Sequence, residues 1–100
     1  MADTIKKLYR GVPTTISSTL YTVPATTTSY IKSISLCNTT ASPAEITLQI
    51  DSVTIVNSTI SANNTVVIND IGVMTVGELL TGSQVTTNAI SVWISGMEVV

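Results

Sequence analysis

The chain has 100 residues, enough for one compact domain with a modest core and no second one. Hydrophobic residues make up 44% and charged residues only 10%, well under the ~25% charged of ordinary soluble domains, and this excludes a disordered tail. The absence of His and the single cysteine, Cys37, exclude His-based catalysis, a His-ligated metal and a four-Cys zinc site.

The 18 Thr, 12 Ile and 12 Val set the secondary structure. Their branched side chains suit a pleated strand and lose rotamer freedom in a helix, so an all-β chain is expected. In chain order, strand composition covers residues 5–10, 19–23, 30–38, 44–51, 53–60, 65–71, 79–81 and 89–95. In the third of these, Ile34 and Leu36 share the core face while Ser33, Ser35 and Cys37 lie opposite. Ile31 is out of phase, on the Cys37 side. The fourth alternates cleanly: Ile46, Leu48 and Ile50 on one face, and Glu45, Thr47, Gln49 and Asp51 on the other, the pattern of a half-buried antiparallel strand. The last repeats it, with Ile90, Val92 and Ile94 inward and Ser91, Trp93 and Ser95 outward.

Breakers fall between these segments. Pro13, Pro24 and Pro43 mark loop edges; Asp51-Ser52, Ala62-Asn63-Asn64, Asp70-Ile71-Gly72, Gly77, Gly82-Ser83 and Thr87-Asn88 read as turns. The sequons at Asn38, Asn57 and Asn63 are read as turns too, chance matches in a chain this rich in Thr and Ser. Punctuation every 8–12 residues points to two packed sheets. The expectation is one antiparallel β-sandwich of seven or eight strands over residues 1–100, jelly-roll or immunoglobulin-like, with 1–13 either an N-terminal arm or an edge strand.

Net charge is −2 and unevenly spread. Residues 1–32 hold Lys6, Lys7, Arg10 and Lys32 against Asp3, a local +3; the remainder holds five acids and no base, −5. Three N-terminal bases are too few for a phosphate-binding face, so nucleic acid is not an expected partner. They are either a solvated strand or a segment that docks on the acidic surface of another copy. No apolar stretch approaches the ~20 residues of a membrane span, and the basic start lacks the apolar run of a secretory signal. One cysteine forms no internal disulfide, which fits a reducing cytoplasm; Cys37 is read as a small buried hydrophobe. Beyond residue 43 there is no Lys, Arg or Pro to guard sheet edges, which points to edges or flat Thr/Ser faces covered by partner copies.

No catalytic set is present: a serine triad lacks its histidine, Cys37 lacks a base, and no Gly-rich phosphate loop occurs. Asp51 and Asp70 both follow strands and, if they met, would form an acid pair; the simpler reading is two solvated turn residues. No cofactor or metal is expected. Trp93 is the most informative residue. On the outward face it serves a subunit interface, packs under a loop or the N-terminal arm, or stacks on a ligand. Tyr9 and Tyr21 pose the same question. Candidate interface residues are Lys6, Lys7, Tyr9, Arg10 and Trp93.

The stretch Leu20-Tyr21-Thr22-Val23-Pro24-Ala25, followed by Ile31-Lys32-Ser33-Ile34-Ser35-Leu36-Cys37-Asn38-Thr39-Thr40, resembles an opening found in small virion proteins of tailed bacteriophages. The likeness continues through the alternating strand 45–50 and Asn63-Asn64-Thr65 to the closing Val92-Trp93-Ile94-Ser95-Gly96-Met97-Glu98-Val99. It covers most of residues 19–99, with Glu78 after Gly77 where related chains often carry Asp. The resemblance implies a non-enzymatic β-sandwich of the virion, assembled in the host cytoplasm: a head-decoration, neck or tail accessory subunit. Its expected partners are copies of itself and other virion structural proteins, with no catalytic residues to carry over. The rival from another class is a host-surface or carbohydrate-binding adhesin module of a tail fibre. A third is a free-standing regulatory or defence-blocking factor.

Overall fold

A computed structural model describes residues 3–100, which form eight strands: β1 (Asp3–Gly11), β2 (Ser18–Thr22), β3 (Thr28–Asn38), β4 (Ala44–Ile50), β5 (Val53–Ile60), β6 (Thr65–Met74), β7 (Leu79–Gln84) and β8 (Ile90–Val99). All pairings are antiparallel, in two four-stranded sheets of order β1-β8-β3-β6 and β2-β7-β4-β5. The chain changes sheet at every connection except the β4–β5 hairpin. This is the double Greek key of a jelly roll. An immunoglobulin fold would keep its first two strands in one sheet; here β1 and β2 lie in different sheets.

Local chemistry explains the turns. Asp51 and Ser52 join Ile50 to its ladder partner Val53, and both have positive φ (46° and 69°). Two left-handed residues give a turn whose twist matches the flanking strands, and Asp tolerates that region. Asn63, at φ 55°, serves similarly between β5 and β6.

Two expected turns are instead parts of strands. Asp70-Ile71-Gly72 lies inside β6, where Asp70 and Ile71 bulge opposite Lys32 of β3 and positive φ at Asp70 (56°) and Gly72 (141°) bends the strand. Gly82-Ser83 lies inside β7. A Cβ at residue 82 would stand 2.7 Å from Leu48 Cδ2 and 2.8 Å from Leu20 Cδ1, so glycine admits the close packing of neighbouring strands rather than a turn. Of the three sequon asparagines only Asn63 is in a turn; Asn38 ends β3 and Asn57 lies within β5.

The out-of-phase Ile31 has the same explanation. Ile31 pairs with Gly96 and Ser33 with Ser95 of β8, leaving Lys32 as the extra residue. One inserted residue flips the alternation, so Ile31 and Ile34 are both fully buried. On the other flank of β8, Leu8 is the extra residue between Lys7 and Tyr9, and it too is buried. Gly96 sits between these bulges; a Cβ there would collide with the Tyr30 carbonyl oxygen and lie 3.2 Å from Leu8 Cδ1.

The core is aliphatic. Ile34 and Leu36 of β3, Ile90, Val92 and Ile94 of β8, Ile46 and Leu48 of β4 and Leu80 of β7 are all buried between the sheets, each contributing roughly 1.5–3 kcal/mol by its removal from water. Buried polar groups close its ends. Asn38 Nδ2 donates to the Ser42 and Ile60 carbonyls (2.8 and 2.9 Å), and its Oδ1 accepts from Thr40. Gln84 bonds the Pro13 carbonyl and both backbone groups of Ile90. Among the described residues no buried side-chain nitrogen or oxygen lacks a partner.

Candidate functional site

The alternation of β8 sets the outer face of the β1-β8-β3-β6 sheet, and the ladder carries it across. One row runs Arg10, Trp93, Ser35, Val67; the next Lys7, Ser95, Ser33, Asn69; beyond the bulges follows Ile5, Met97, Tyr30, Val73. Ile5 (88%), Val73 (62%), Val67 (55%) and Trp93 (49%) keep much of their surface exposed. One outer face therefore combines large apolar side chains with the cations Lys7 and Arg10.

Arg10 and Trp93 are direct ladder partners, and the Arg10 guanidinium carbon lies 5.1 Å from the indole centroid, within cation–π range. Beside them opens a groove of about 320 Å³, lined by Arg10, Gly11, Val12, Ser35, Cys37, Ser91, Val92 and Trp93. Arg10 and the Cys37 thiol are its only ionisable groups. No Asp, Glu or His stands beside the thiol in this lining. Cys37, expected as a small buried hydrophobe, is half-buried and forms part of this wall.

The structure separates the other candidates. Residues 3–11 form the edge strand β1, paired with β8 of the same chain and contributing Leu8 to the core. Lys7 is exposed on the Trp93 face. Lys6 turns to the rim between the sheets, its Nζ 3.1 Å from Glu98 Oε1. Tyr9 is half-buried against the core, which raises its pKa, and its hydroxyl lies over Gly11. Arg10, Lys7 and Trp93 thus share the outer face, while Lys6 and Tyr9 are engaged within the fold.

At that rim the Tyr21 hydroxyl of β2 donates to Glu98 Oε2 and lies 2.6 Å from Ser29 Oγ. Burial, and then the Glu98 bond, push the Tyr21 phenol up to about 12. The Tyr21 hydroxyl and then the Lys6 ammonium hold the Glu98 carboxyl below its ordinary value, against the opposing effect of burial. This cluster ties β1 and β8 of one sheet to β2 of the other. Asp51 and Asp70 form no acid pair: Asp51 Oδ1 accepts from the Leu79 amide, and Asp70 Oδ1 from the Tyr30 hydroxyl 2.7 Å away. Among the described residues no group of three His, Cys, Asp or Glu is placed to hold a metal ion.

The opposite outer face differs. Glu45 is the only charged residue in β2, β4, β5 and β7. Thr47 Oγ1 bonds Asn57 Oδ1 at 3.4 Å and Gln49 Nε2 bonds Thr54 Oγ1 at 3.2 Å, in a neutral hydroxyl–amide ladder.

Sequence reading found Trp93 and Arg10 but missed the Ile5–Met97–Tyr30–Val73 row. Its signal was present in the alternation of β8, yet the extra residues Leu8 in β1 and Lys32 in β3 shift the phase of those strands between this row and the one through Trp93. Comparisons with protein-family models, curated proteins and solved structures give no match.

Proposed function

We propose that this chain is a non-enzymatic structural subunit of a tailed-bacteriophage virion. It attaches as a homo-oligomeric decoration, neck or tail accessory protein through the outer face of the β1-β8-β3-β6 sheet. The observation that carries the reading is the contrast between the two faces. One carries the exposed Trp93 beside Arg10, with Val67 at the far edge of the same row and Ile5 and Val73 across a polar row through Lys7; the other is a nearly uncharged Thr/Gln/Asn surface in which Val53 and Leu79 are exposed. Paired aromatic and Arg anchors are what protein interfaces concentrate. The likeness of segments 20–25, 31–40 and 92–99 to phage virion proteins supplies the setting.

The partner surface would carry acidic groups opposite Lys7 and Arg10 and an apolar side chain to fill the groove beside Trp93. The adhesin alternative finds less support, because sugar recognition needs convergent polar groups and the groove offers the hydroxyls of Ser35 and Ser91 beside one indole. The test is mass spectrometry of gradient-purified particles of the virus that encodes the chain. Stoichiometric, repeated copies are expected. Absence from particles would overturn the reading, and a glycan-array signal lost with Trp93→Ala would replace it with the adhesin.

A further inference from the structure

The sandwich has four edge strands, β1, β6, β2 and β5, and three of them carry devices that discourage pairing with another chain. β1 bears Lys6, Lys7 and Arg10 and a bulge at Leu8. β6 is bent by positive φ at Asp70 and Gly72, with a carboxylate at the bend. β2 has only five residues, a register shift, and Pro24 close behind it. Charges, bulges, proline and short length are the usual guards of an exposed edge. β5, Val-Thr-Ile-Val-Asn-Ser-Thr-Ile, has no charge and no proline. Its one register shift, at Ile55, lies near the start, and residues 56–60 pair regularly with β4. No residue from 53 to 59 makes a backbone hydrogen bond to another described residue beyond that ladder, so the alternate amide and carbonyl groups facing away from β4 are open to a further strand.

We propose that β5 is a homodimerisation edge: β5 of a second copy adds antiparallel to it about a two-fold axis and joins the two β2-β7-β4-β5 sheets into one eight-stranded sheet. The second copy is the occupant that the chemistry of the strand selects. A two-fold axis sets the same patch against itself, so a charge near the middle of β5 would stand close to its own copy and repel it. β5 alone among the edges of eight or more residues is neutral throughout. It also has no charged group with which to choose a different partner. Asn57, opposite Thr47, and Thr59, opposite Glu45, extend the hydroxyl–amide surface of β4 to the edge, and the junction would continue it into the second copy. The proposal adds a surface to the oligomer inferred above, and its test needs no virion.

The experiment is sedimentation of the full chain across a concentration series, with hydrogen exchange of β5 amides, for the natural sequence and for Asn57→Lys and Trp93→Ala. The natural chain is expected to form a dimer of twice the 10.5 kDa protomer, with alternate β5 amides gaining protection as concentration rises. Asn57→Lys is expected to weaken the dimer by about tenfold or more, since Asn57 lies near the middle of β5 and a two-fold pairing centred on the strand brings the two like charges close together. Its unfolding midpoint, measured at dilutions where both chains are monomeric, should be unchanged, because Asn57 is exposed. Trp93→Ala is expected to leave the dimer intact. A natural chain that stays monomeric at hundreds of micromolar overturns the proposal. So does a dimer that survives Asn57→Lys but dissociates with Trp93→Ala, which would move self-association to the other sheet.

Discussion

Replacing Trp93 by alanine separates docking from folding. A tryptophan side chain presents roughly 150–250 Å² for burial, and Trp93 retains 49% exposure in the free subunit. Roughly 100 Å² is therefore left for a partner to cover, worth about 2.5 kcal/mol at ~25 cal/mol per Å², or a loss of about 70-fold in affinity. The half already covered rests on its own chain, beside Arg10 and the groove wall. Its removal leaves an open surface hollow rather than a sealed cavity, with an expected cost of about 1–2 kcal/mol. For a domain of this size that lowers the unfolding temperature by ~5–15 °C, so the variant stays folded at 20 °C. The assay is titration of labelled protein onto particles depleted of it, at that temperature, beside a thermal melt of the free protein. A folded variant that binds as tightly as the natural chain would refute the docking face. A binding loss no larger than the unfolded fraction would assign Trp93 to local packing.

Two further predictions concern the rim and the bulges. Gly96→Ala drives a Cβ into the Tyr30 carbonyl oxygen, and because backbone cannot swing aside as a flexible side chain does, a loss of at least about 3 kcal/mol is expected in urea titration; a midpoint within error of the natural chain would refute the close approach of β8 and β3. The Tyr21–Glu98–Lys6 cluster predicts a stability curve falling at both extremes of pH. The depressed Glu98 pKa adds stability that is present above its unfolded value and lost as pH falls through the folded one. Tyr21, raised from 10.0 to about 12, adds stability that is complete below pH 10 and lost as pH rises toward 12. Denaturant midpoints against pH should have a shallower alkaline limb in Tyr21→Phe, with the rest left by the raised Tyr9 and Tyr30 phenols, and a shallower acid limb in Glu98→Gln.

The fold was legible because its signals are local. Inward Ile46 and Leu48 in β4, and Ile90, Val92 and Ile94 in β8, follow from period-two alternation, and the Asp51-Ser52 hairpin from turn chemistry. What the sequence concealed was the meaning of its glycines and its phase errors. Gly82 and Gly72 look like turn residues in isolation; they lie within β7 and β6 because one faces the side chains of adjoining strands and the other a bulge. Ile31 looks misplaced until the ladder shows Lys32 as the inserted residue. The Arg10–Trp93 pair is separated by more than eighty residues, and no spacing in the chain announces it; only the β1–β8 register brings them together.

That register also decides the fate of a chain lacking residues 2–10. As a detachable arm, the segment would be dispensable for folding, and its loss would abolish assembly alone. The structure makes its residues 3–10 part of an integral edge, residue 2 lying outside the described residues. β1 holds eight ladder positions against β8, seals Leu8 into the core, and supplies Lys6 to the Glu98 carboxylate. Leu8 alone represents about 2 kcal/mol of burial, and the ladder and ion pair add to it, against a total stability of only about 5–15 kcal/mol for a domain. Without the segment, β8 would become a bare edge carrying Trp93 and Ile94, with Arg10 of the docking face also lost. The truncated chain is expected to be poorly soluble and to show little cooperative unfolding by circular dichroism. The informative companion is Lys7→Glu combined with Arg10→Glu, which reverses the charge of the face while leaving Leu8, Lys6 and the ladder in place. It should unfold close to the natural midpoint and fail to attach to particles. A truncated chain that melts cooperatively near the natural temperature would restore the detachable arm and remove β1 from the architecture argued here.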